Sequence, residues 1–388
     1  MSKIEKFFNF FLALTILALP FYIFRFTLGP IPSTLLEVLI FITFILALFG
    51  GRFKKQEINK PIFWGSLFIL AALLAVAFDS NKIAALGIWK AYFFDGILFF
   101  AVLLALNQSE RERVKKILIL SGALTSALAI GLYLSGTKTI DGRLLDLDQL
   151  SPNYLAMYLV PIFILNISEI TRSKEKVKLI CMIIVGFIIA AAIYLTNSRA
   201  GYISTLAGLI VLGYGWAKGK LGKKLSVVSV IVLLLALIGG SAWFFKPVAN
   251  DLGRTGASSN IRDYIWSTSL EIVKQNPITG IGLNNYQNYF SQYTKGWTNF
   301  DEFITPEAHT AHNLYLHIYL TTGLAGFVAF IALMISSRFW RAKDIALIAS
   351  LASILIFSLF DTPFFRNDLA VLFWMILALV YVQKGTEK

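Results

Sequence analysis

The sequence predicts an all-α polytopic membrane protein with about twelve transmembrane helices, and three observations carry that reading. Of 388 residues, 57% are hydrophobic and 15% charged, with a mean hydropathy of +0.70, too apolar for a soluble chain of this length. The apolar residues fall in blocks of about twenty, the length a helix needs to cross the hydrocarbon core. The blocks are continuous rather than alternating, which excludes an outer-membrane barrel.

The twelve apolar segments are 7–25, 33–50, 61–78, 83–106, 116–136, 153–170, 178–196, 201–217, 225–245, 313–335, 344–361 and 367–383. Several are near eighteen residues, short but within the spanning range. No small-residue cleavage site follows Phe7 to Phe24, so the first segment is expected to stay as a helix rather than leave as a signal peptide. The single cysteine, Cys181, lies inside an apolar run, so no disulfide forms within the chain and the redox compartment stays open.

The net charge of +13 is a matter of placement. One set of loops carries Arg52, Lys54, Lys55 and Lys60; Arg111, Arg113, Lys115 and Lys116; Arg172, Lys174, Lys176 and Lys178; Lys218, Lys220, Lys223 and Lys224; and Arg338, Arg341 and Lys343. With Lys3, Lys6, Lys384 and Lys388 these make about two thirds of the basic residues, all on one face of a twelve-helix arrangement. Basic loops are retained in the cytoplasm, so that face and both termini are expected there. The basic excess thus reports topology among membrane lipids, and nucleic acid is excluded as a partner.

Two excursions stand out on the opposite face. Residues 137–152 form a short one, and about 246–312 form the only long polar stretch, a length that usually carries function. The chain therefore divides into transmembrane helices over 1–245, a loop domain over 246–312 and further helices over 313–388, all within one integral membrane unit. Inside the loop, Ser258-Ser259-Asn260 offers helix caps and Asn276-Pro277 a stop, which predicts a partly amphipathic helix suited to a membrane surface. Gly280-Ile281-Gly282 lacks the third glycine and the preceding strand of a dinucleotide fingerprint and reads as a tight loop.

The external ends gather the residues able to do chemistry. Arg199 stands in Asn197-Ser198-Arg199-Ala200-Gly201, Arg143 in the short loop, and Arg254 and Arg262 in the long one. Asp361 and Arg366 flank the last external turn, and His309 and His312 lead into the tenth segment, with Asn313 at its mouth. Arginine suits phosphate because its planar fork donates two hydrogen bonds and stays charged. Two or three arginines at a membrane surface therefore fit a lipid pyrophosphate, whereas Arg25 and Lys246 read as residues snorkelling to headgroups. A neutral imidazole at His312 can take a proton from an attacking hydroxyl; His317, further along, reads as a packing residue.

Within the spans, Glu37, Lys90 and Asp95 are costly charges and functional candidates by default, with Lys90 placed to reach a pyrophosphate from below. Asp146-Leu147-Asp148 reads as solvated loop acids rather than a metal–diphosphate motif, and no other metal-ligand spacing occurs. A transporter would show repeated halves or broken helices at mid-membrane. No repeat is evident, and the ionisable residues sit mostly at external ends.

Several stretches, in order, resemble the O-antigen ligase and polymerase superfamily of bacterial envelope enzymes. They are Ser151-Pro152-Asn153-Tyr154-Leu155-Ala156, Ser198-Arg199-Ala200-Gly201, Ile261-Arg262-Asp263-Tyr264-Ile265-Trp266, Gly280-Ile281-Gly282, His312-Asn313 and Gly323-Leu324-Ala325-Gly326, which together cover about residues 150–330. The N-terminal third matches only as hydropathy. The resemblance implies a GT-C fold of the second class and an inverting, metal-independent glycosyl transfer without a cofactor. It implies a glycan donor on undecaprenyl pyrophosphate and, for the favoured ligase reading, a lipid A–core acceptor. The polymerase alternative joins lipid-linked repeat units instead. On this pattern His312 is the base, Arg199 and Arg262 contact phosphate, and Asp361 and Arg366 match an acidic and a basic residue near the last external turn. The enzyme is expected in the bacterial inner membrane with its site on the periplasmic face. Two departures concern the acceptor: Thr321-Thr322 stand where the family often has an acid, and His309 is offset from a frequent second histidine.

Overall fold

Polar caps set where many of the helices begin. Ser2 caps α1 (Lys3–Leu17), Thr34 and Glu37 form a capping box on α2 (Leu35–Phe49), and Asn107 and Glu110 form another on α6 (Gln108–Leu134). The computed structural model describes residues 2–28, 31–53, 60–218, 254–294, 308–337, 340 and 342–382. The remaining helices are α3 (Lys60–Ala75), α4 (Lys82–Trp89), α5 (Asp95–Leu104), α7 (Pro152–Arg172), α8 (Lys176–Leu195), α9 (Arg199–Lys218), α10 (Arg254–Gln275), α11 (Tyr286–Thr294), α12 (Leu314–Ser337), α13 (Ile345–Phe357) and α14 (Asn367–Val382). The chain is thus a helical, multi-pass membrane protein.

Among the described residues seven helical stretches are long and apolar enough to cross a membrane: Lys60–Phe78, Lys82–Leu104, Gln108–Leu134, Pro152–Arg172, Lys176–Leu195, Arg199–Lys218 and Leu314–Ser337. Leu35–Phe49, Ile345–Phe357 and Asn367–Tyr381 are shorter apolar helices. The ninth segment of the sequence reading, 225–245, lies outside the described residues.

Burial sorts these helices. From Leu369 to Val380, α14 is buried on every side, as expected of an apolar helix at the centre of a bundle. Its Phe373 and Trp374 pack with Phe364, Phe330 and Phe100 of neighbouring elements, and Phe68 packs in turn on Phe364. By contrast, α8 exposes Val177, Ile180, Ile183, Ile184 and Phe187, an apolar face suited to lipid.

Three features depart from the continuous helices expected. Between α1 and α2 the chain makes an antiparallel hairpin of β1 (Arg25–Leu28) and β2 (Ile31–Thr34), with Arg25 opposite Thr34. The fourth apolar segment carries a π-turn over Lys90–Phe94 between α4 and α5, a form common where function reshapes a helix. Third, α12 breaks at Gly323, where φ is 69° and ψ −173°.

The loop at Gly280 plugs that break. Ile281 N donates to Leu320 O at 2.7 Å, and Leu324 N donates to Ile278 O at 3.0 Å, so the two backbones satisfy one another. The approach is close enough that a Cβ on Gly323 would stand 2.4 Å from Ile278 O, and one on Gly280 2.4 Å from Leu320 O.

The loop helix α10 starts four residues before its expected cap, with Ser258 and Ser259 inside it. Ile265 and Ile272 build a small second core with Ile281, Tyr286, Phe290, Ala308, Ala311 and Leu320. This apolar face is therefore spent on protein rather than on a membrane surface. Asp79, just past the end of α3, clamps the same loop by accepting from Asn284 N at 2.6 Å.

Candidate functional site at one end of the helix bundle

The starts of α7, α9, α12 and α14 and the ends of α8 and α13 meet at one end of the bundle. Backbone bonds tie them: Leu314 N donates to Ser358 O at 2.8 Å, and Leu144 N to Leu195 O at 2.9 Å. His312 sits in this corner with φ +45°, the left-handed region that costs a residue with a Cβ about 1–3 kcal/mol and persists only where surroundings impose it.

Its neighbours impose it. Asn313 Oδ1 accepts from Leu316 N at 3.0 Å and caps the first turn of α12, while its Nδ2 donates to Leu359 O at 3.1 Å. Ala311 N donates to Nδ1 of His317 at 3.4 Å. His317 is buried against the Phe365 ring with centroids 4.3 Å apart, so it holds the approach to His312 rather than facing a substrate.

The His312 imidazole pairs with a carboxylate. Nδ1 lies 3.1 Å from Asp361 Oδ1, in the turn between α13 and α14. Asp361 is only 3% exposed and is otherwise fully engaged: Thr362 N donates to Oδ1 at 2.9 Å and Asn153 Nδ2 donates to Oδ2 at 3.0 Å. A carboxylate there holds the proton on Nδ1, which leaves Nε2 as the acceptor. The side chain of His312 is 38% exposed, and Nε2 makes no hydrogen bond among the described residues.

The electrostatics follow. Burial by itself would lower the imidazole's pKa, and the Arg262 charge adds to that, but the Asp361 carboxylate outweighs both and lifts it above the ordinary histidine range. Burial works against the Asp361 charge, yet His312, the Thr362 amide and Arg262 hold its carboxyl below the usual range.

The network extends to a second turn. Ser198 Oγ donates to Asn153 Oδ1 at 2.8 Å and accepts from Gly201 N at 3.2 Å, which caps α9. Asn197 before it takes φ +48°, a conformation asparagine tolerates at a helix end. Arg199 is therefore the first residue of α9, exposed, and without an ion pair among the described residues. Arg262, on α10, is half-buried and equally unpaired, with its charge felt at both His312 and Asp361.

A family model described as O-antigen ligase matches residues 184–331. An O-antigen ligase of Salmonella typhimurium is 26% identical over 172 residues, covering 41% of this chain and 39% of that protein. Residues 184–331 therefore resemble the O-antigen ligase family, over about two fifths of the length of that relative. The family segment holds Arg199, Arg262, His309 and His312, while Asp361 and Asn153 lie outside it.

The fold does not bring every candidate to the same place. His309 is exposed beside His312. Arg143 pairs with Asp141 at 2.8 Å within its own loop. Lys90 Nζ donates to Pro32 O at 2.8 Å, Ser33 Oγ at 3.2 Å and Glu37 Oε2 at 2.6 Å, so its three donors serve the hairpin and α2. Asp95, fully buried, lies beside that pair.

Arg366 is locked inside the protein. It forks onto Asp368 at 2.7 Å through both Nε and Nη2, reaches Asp146 at 2.6 Å through Nη1, and lies between the Tyr22 and Tyr154 rings. Asp146 is accordingly a buried partner, not a solvated acid. Its companion Asp148 accepts from Tyr22 at 3.1 Å and from Arg25 at 3.0 Å. Arg25 thus joins this knot instead of snorkelling alone.

The pairing of His312 with Asp361 and the bridging role of Asn153 escape sequence reasoning. A weak signal exists: Ser151-Pro152-Asn153 and Phe360-Asp361-Thr362-Pro363 are both polar turns at helix ends.

Proposed function

We propose that this protein transfers a glycan from a polyprenyl-pyrophosphate donor, undecaprenyl pyrophosphate in bacteria, to a sugar hydroxyl of lipid A–core. The observation that carries the reading is the His312–Asp361 pair, with Nε2 free of hydrogen bonds and Arg262 felt at the imidazole, while Arg199 and Arg262 have no ion pair among the described residues. In the transfer, the acceptor hydroxyl attacks the sugar C1 and its proton passes to Nε2 of His312. The C1–O bond to phosphate breaks and the polyprenyl pyrophosphate departs, with Arg199 and Arg262 stabilising its growing charge. Direct displacement inverts the anomeric centre. An activated donor needs no carboxylic acid to help its leaving group.

The placing of the basic loops supports a twelve-helix arrangement with both termini cytoplasmic and the site on the opposite, periplasmic face, and the resemblance to O-antigen ligases implies the GT-C class and the inner membrane. His309, exposed and three residues before the base, is the candidate for a substrate contact there.

The test is glycan transfer by the purified protein in nanodiscs, with a polyprenyl-pyrophosphate donor and separate acceptor arms of lipid A–core and of a second lipid-linked repeat unit. Wild type is expected to use lipid A–core. His312→Ala is expected to lose about 10²–10⁴ of the rate. Transfer near wild type in that variant removes the base assignment, and exclusive use of the lipid-linked repeat makes the protein a polymerase.

A further inference from the structure

The base and Arg199, which has no ion pair among the described residues, are 113 residues apart in the chain, yet a single side chain touches the supports of both. Asn153 Nδ2 donates to Asp361 Oδ2 at 3.0 Å, and Asn153 Oδ1 accepts from Ser198 Oγ at 2.8 Å. Both partners are buried, Asp361 at 3% and Ser198 at 2% exposed. An amide is the one group of this size with a donor and an acceptor a fixed distance apart. Aspartate offers no donor at neutral pH, and alanine offers neither. Ser151, which caps the first turn of α7 by accepting from Asn153 N at 3.2 Å, fixes where that amide starts.

We propose that Asn153 is a positioning residue of the transfer reaction, its side-chain amide tying the His312–Asp361 pair to the Ser198 turn that carries Arg199. This rests on His312 being the base. The amide does two things. It sets the register between the group that takes the proton and the guanidinium that meets the leaving group. It also shares the negative charge of Asp361, and so governs how strongly that carboxylate holds a proton on His312. The charged and titratable groups around the pair are Asp361 from the α13–α14 turn, Arg262 from α10, His317 from α12 and Tyr154 from α7.

The sign of the perturbation is determined by charge. Asn153→Asp puts a second carboxyl beside Asp361, so the His312 cation is held more strongly and the neutral base appears only at higher pH. Asn153→Ala leaves Asp361 Oδ2 without a donor and acts in the same direction, less strongly. Asp361→Asn acts in the opposite direction, and in that background the residue at 153 has no carboxylate to modulate.

The experiment reads the imidazole directly. The full-length protein in nanodiscs is treated with diethylpyrocarbonate between pH 5.5 and 8.5, and modification of His312 is followed by peptide fragmentation against the exposed His309 as internal reference. Near neutral pH, Asn153→Asp is expected to slow His312 modification about tenfold relative to His309, and the pH profile of transfer is expected to move to higher pH with it. In Asp361→Asn the further change at 153 is expected to have less than about a twofold effect. Ser198→Ala, which frees the amide to turn over, is expected to give a smaller shift in the same direction and serves if Asn153→Asp does not fold. An unmoved His312 profile in folded Asn153→Asp, or in Ser198→Ala where the former does not fold, overturns the proposal. Full transfer by His312→Ala would instead remove the base assignment while leaving the modification shift in place, so the two failures are told apart.

Discussion

Replacing Asp361 by Asn tests the site at its most constrained point. The two residues have the same shape, so packing is preserved and only hydrogen-bond roles change. Asp361 accepts on Oδ1 from Thr362 N at 2.9 Å and on Oδ2 from Asn153 Nδ2 at 3.0 Å, with His312 Nδ1 at 3.1 Å from Oδ1. An asparagine keeping its oxygen toward Thr362 and His312 sets its NH₂ against the NH₂ of Asn153, two donors face to face. Turned over, it sets NH₂ against Thr362 N–H and donates to Nδ1, which moves the imidazole proton to Nε2 and removes the base. The first arrangement leaves a buried donor unsatisfied, worth about 1–3 kcal/mol. Either arrangement also forfeits the charge-assisted bond to the imidazolium formed during transfer, worth about 1.5–3 kcal/mol. The first cost falls on stability, and the second alone acts on the barrier, so the rate should be lower by roughly 10–10². The loss should fall on kcat with donor KM little changed, because the carboxylate stabilises a cation that exists only after proton transfer. The remaining activity should reach its plateau at lower pH than in wild type, since the carboxylate that raises the His312 pKa is gone. Steady-state transfer across pH with the purified variant in nanodiscs makes the check. A kcat within about threefold of wild type, or a profile unmoved on the pH axis, refutes the reasoning.

Other predictions address the donor clamp and the scaffold. Arg199→Lys keeps the charge of α9's first residue but not the planar fork, and donor KM is expected to rise roughly tenfold in the transfer assay. Gly323→Ala sets a Cβ 2.4 Å from Ile278 O at φ +69°, so the variant should lose about 2–4 kcal/mol, read as a lower midpoint of thermal unfolding in detergent. On the opposite face, Asp344 accepts from Lys115 at 2.7 Å and Arg172 at 2.9 Å, and Asp344→Asn should destabilise by about 3 kcal/mol with transfer intact in the folded fraction. Burial opposes the Asp344 charge, but Lys115 and Arg172 hold its carboxyl below the usual aspartate range. A depressed carboxyl contributes stability above its unfolded pKa and loses it as pH falls through the folded value, so wild type and Asp344→Asn should converge in unfolding midpoint only in acid.

Much of the organisation was legible in one dimension because its causes are local. A block such as Leu314–Ser337 is apolar enough for a membrane whatever surrounds it, and the lysines and arginines between blocks report a face without reference to packing. His312, Arg199 and Arg262 could be picked out because ionisable groups at the ends of apolar segments need a reason to be there. The same logic failed for Lys90 and Arg366, which looked equally exceptional but pair with Glu37 and with Asp146 and Asp368. A charge that serves a ligand and a charge that serves the fold look identical until its partners are known. Asp146 and Arg366 are 220 residues apart, and no sequence periodicity links them.

By itself, then, the amino-acid order determined the membrane class and the kinds of side chain gathered at the helix ends, since each follows from hydropathy, charge and residue type along the chain. Tertiary structure alone decided which of those side chains meet. It broke α12 at Gly323 to seat the Gly280 loop, turned His312 into a left-handed corner, and brought His312, Asp361, Asn153 and Ser198 into one chain of hydrogen bonds. The physical reason is the same in each case: a hydrogen bond or ion pair depends on separations of about 3 Å in space, and helix packing, not sequence distance, sets those separations.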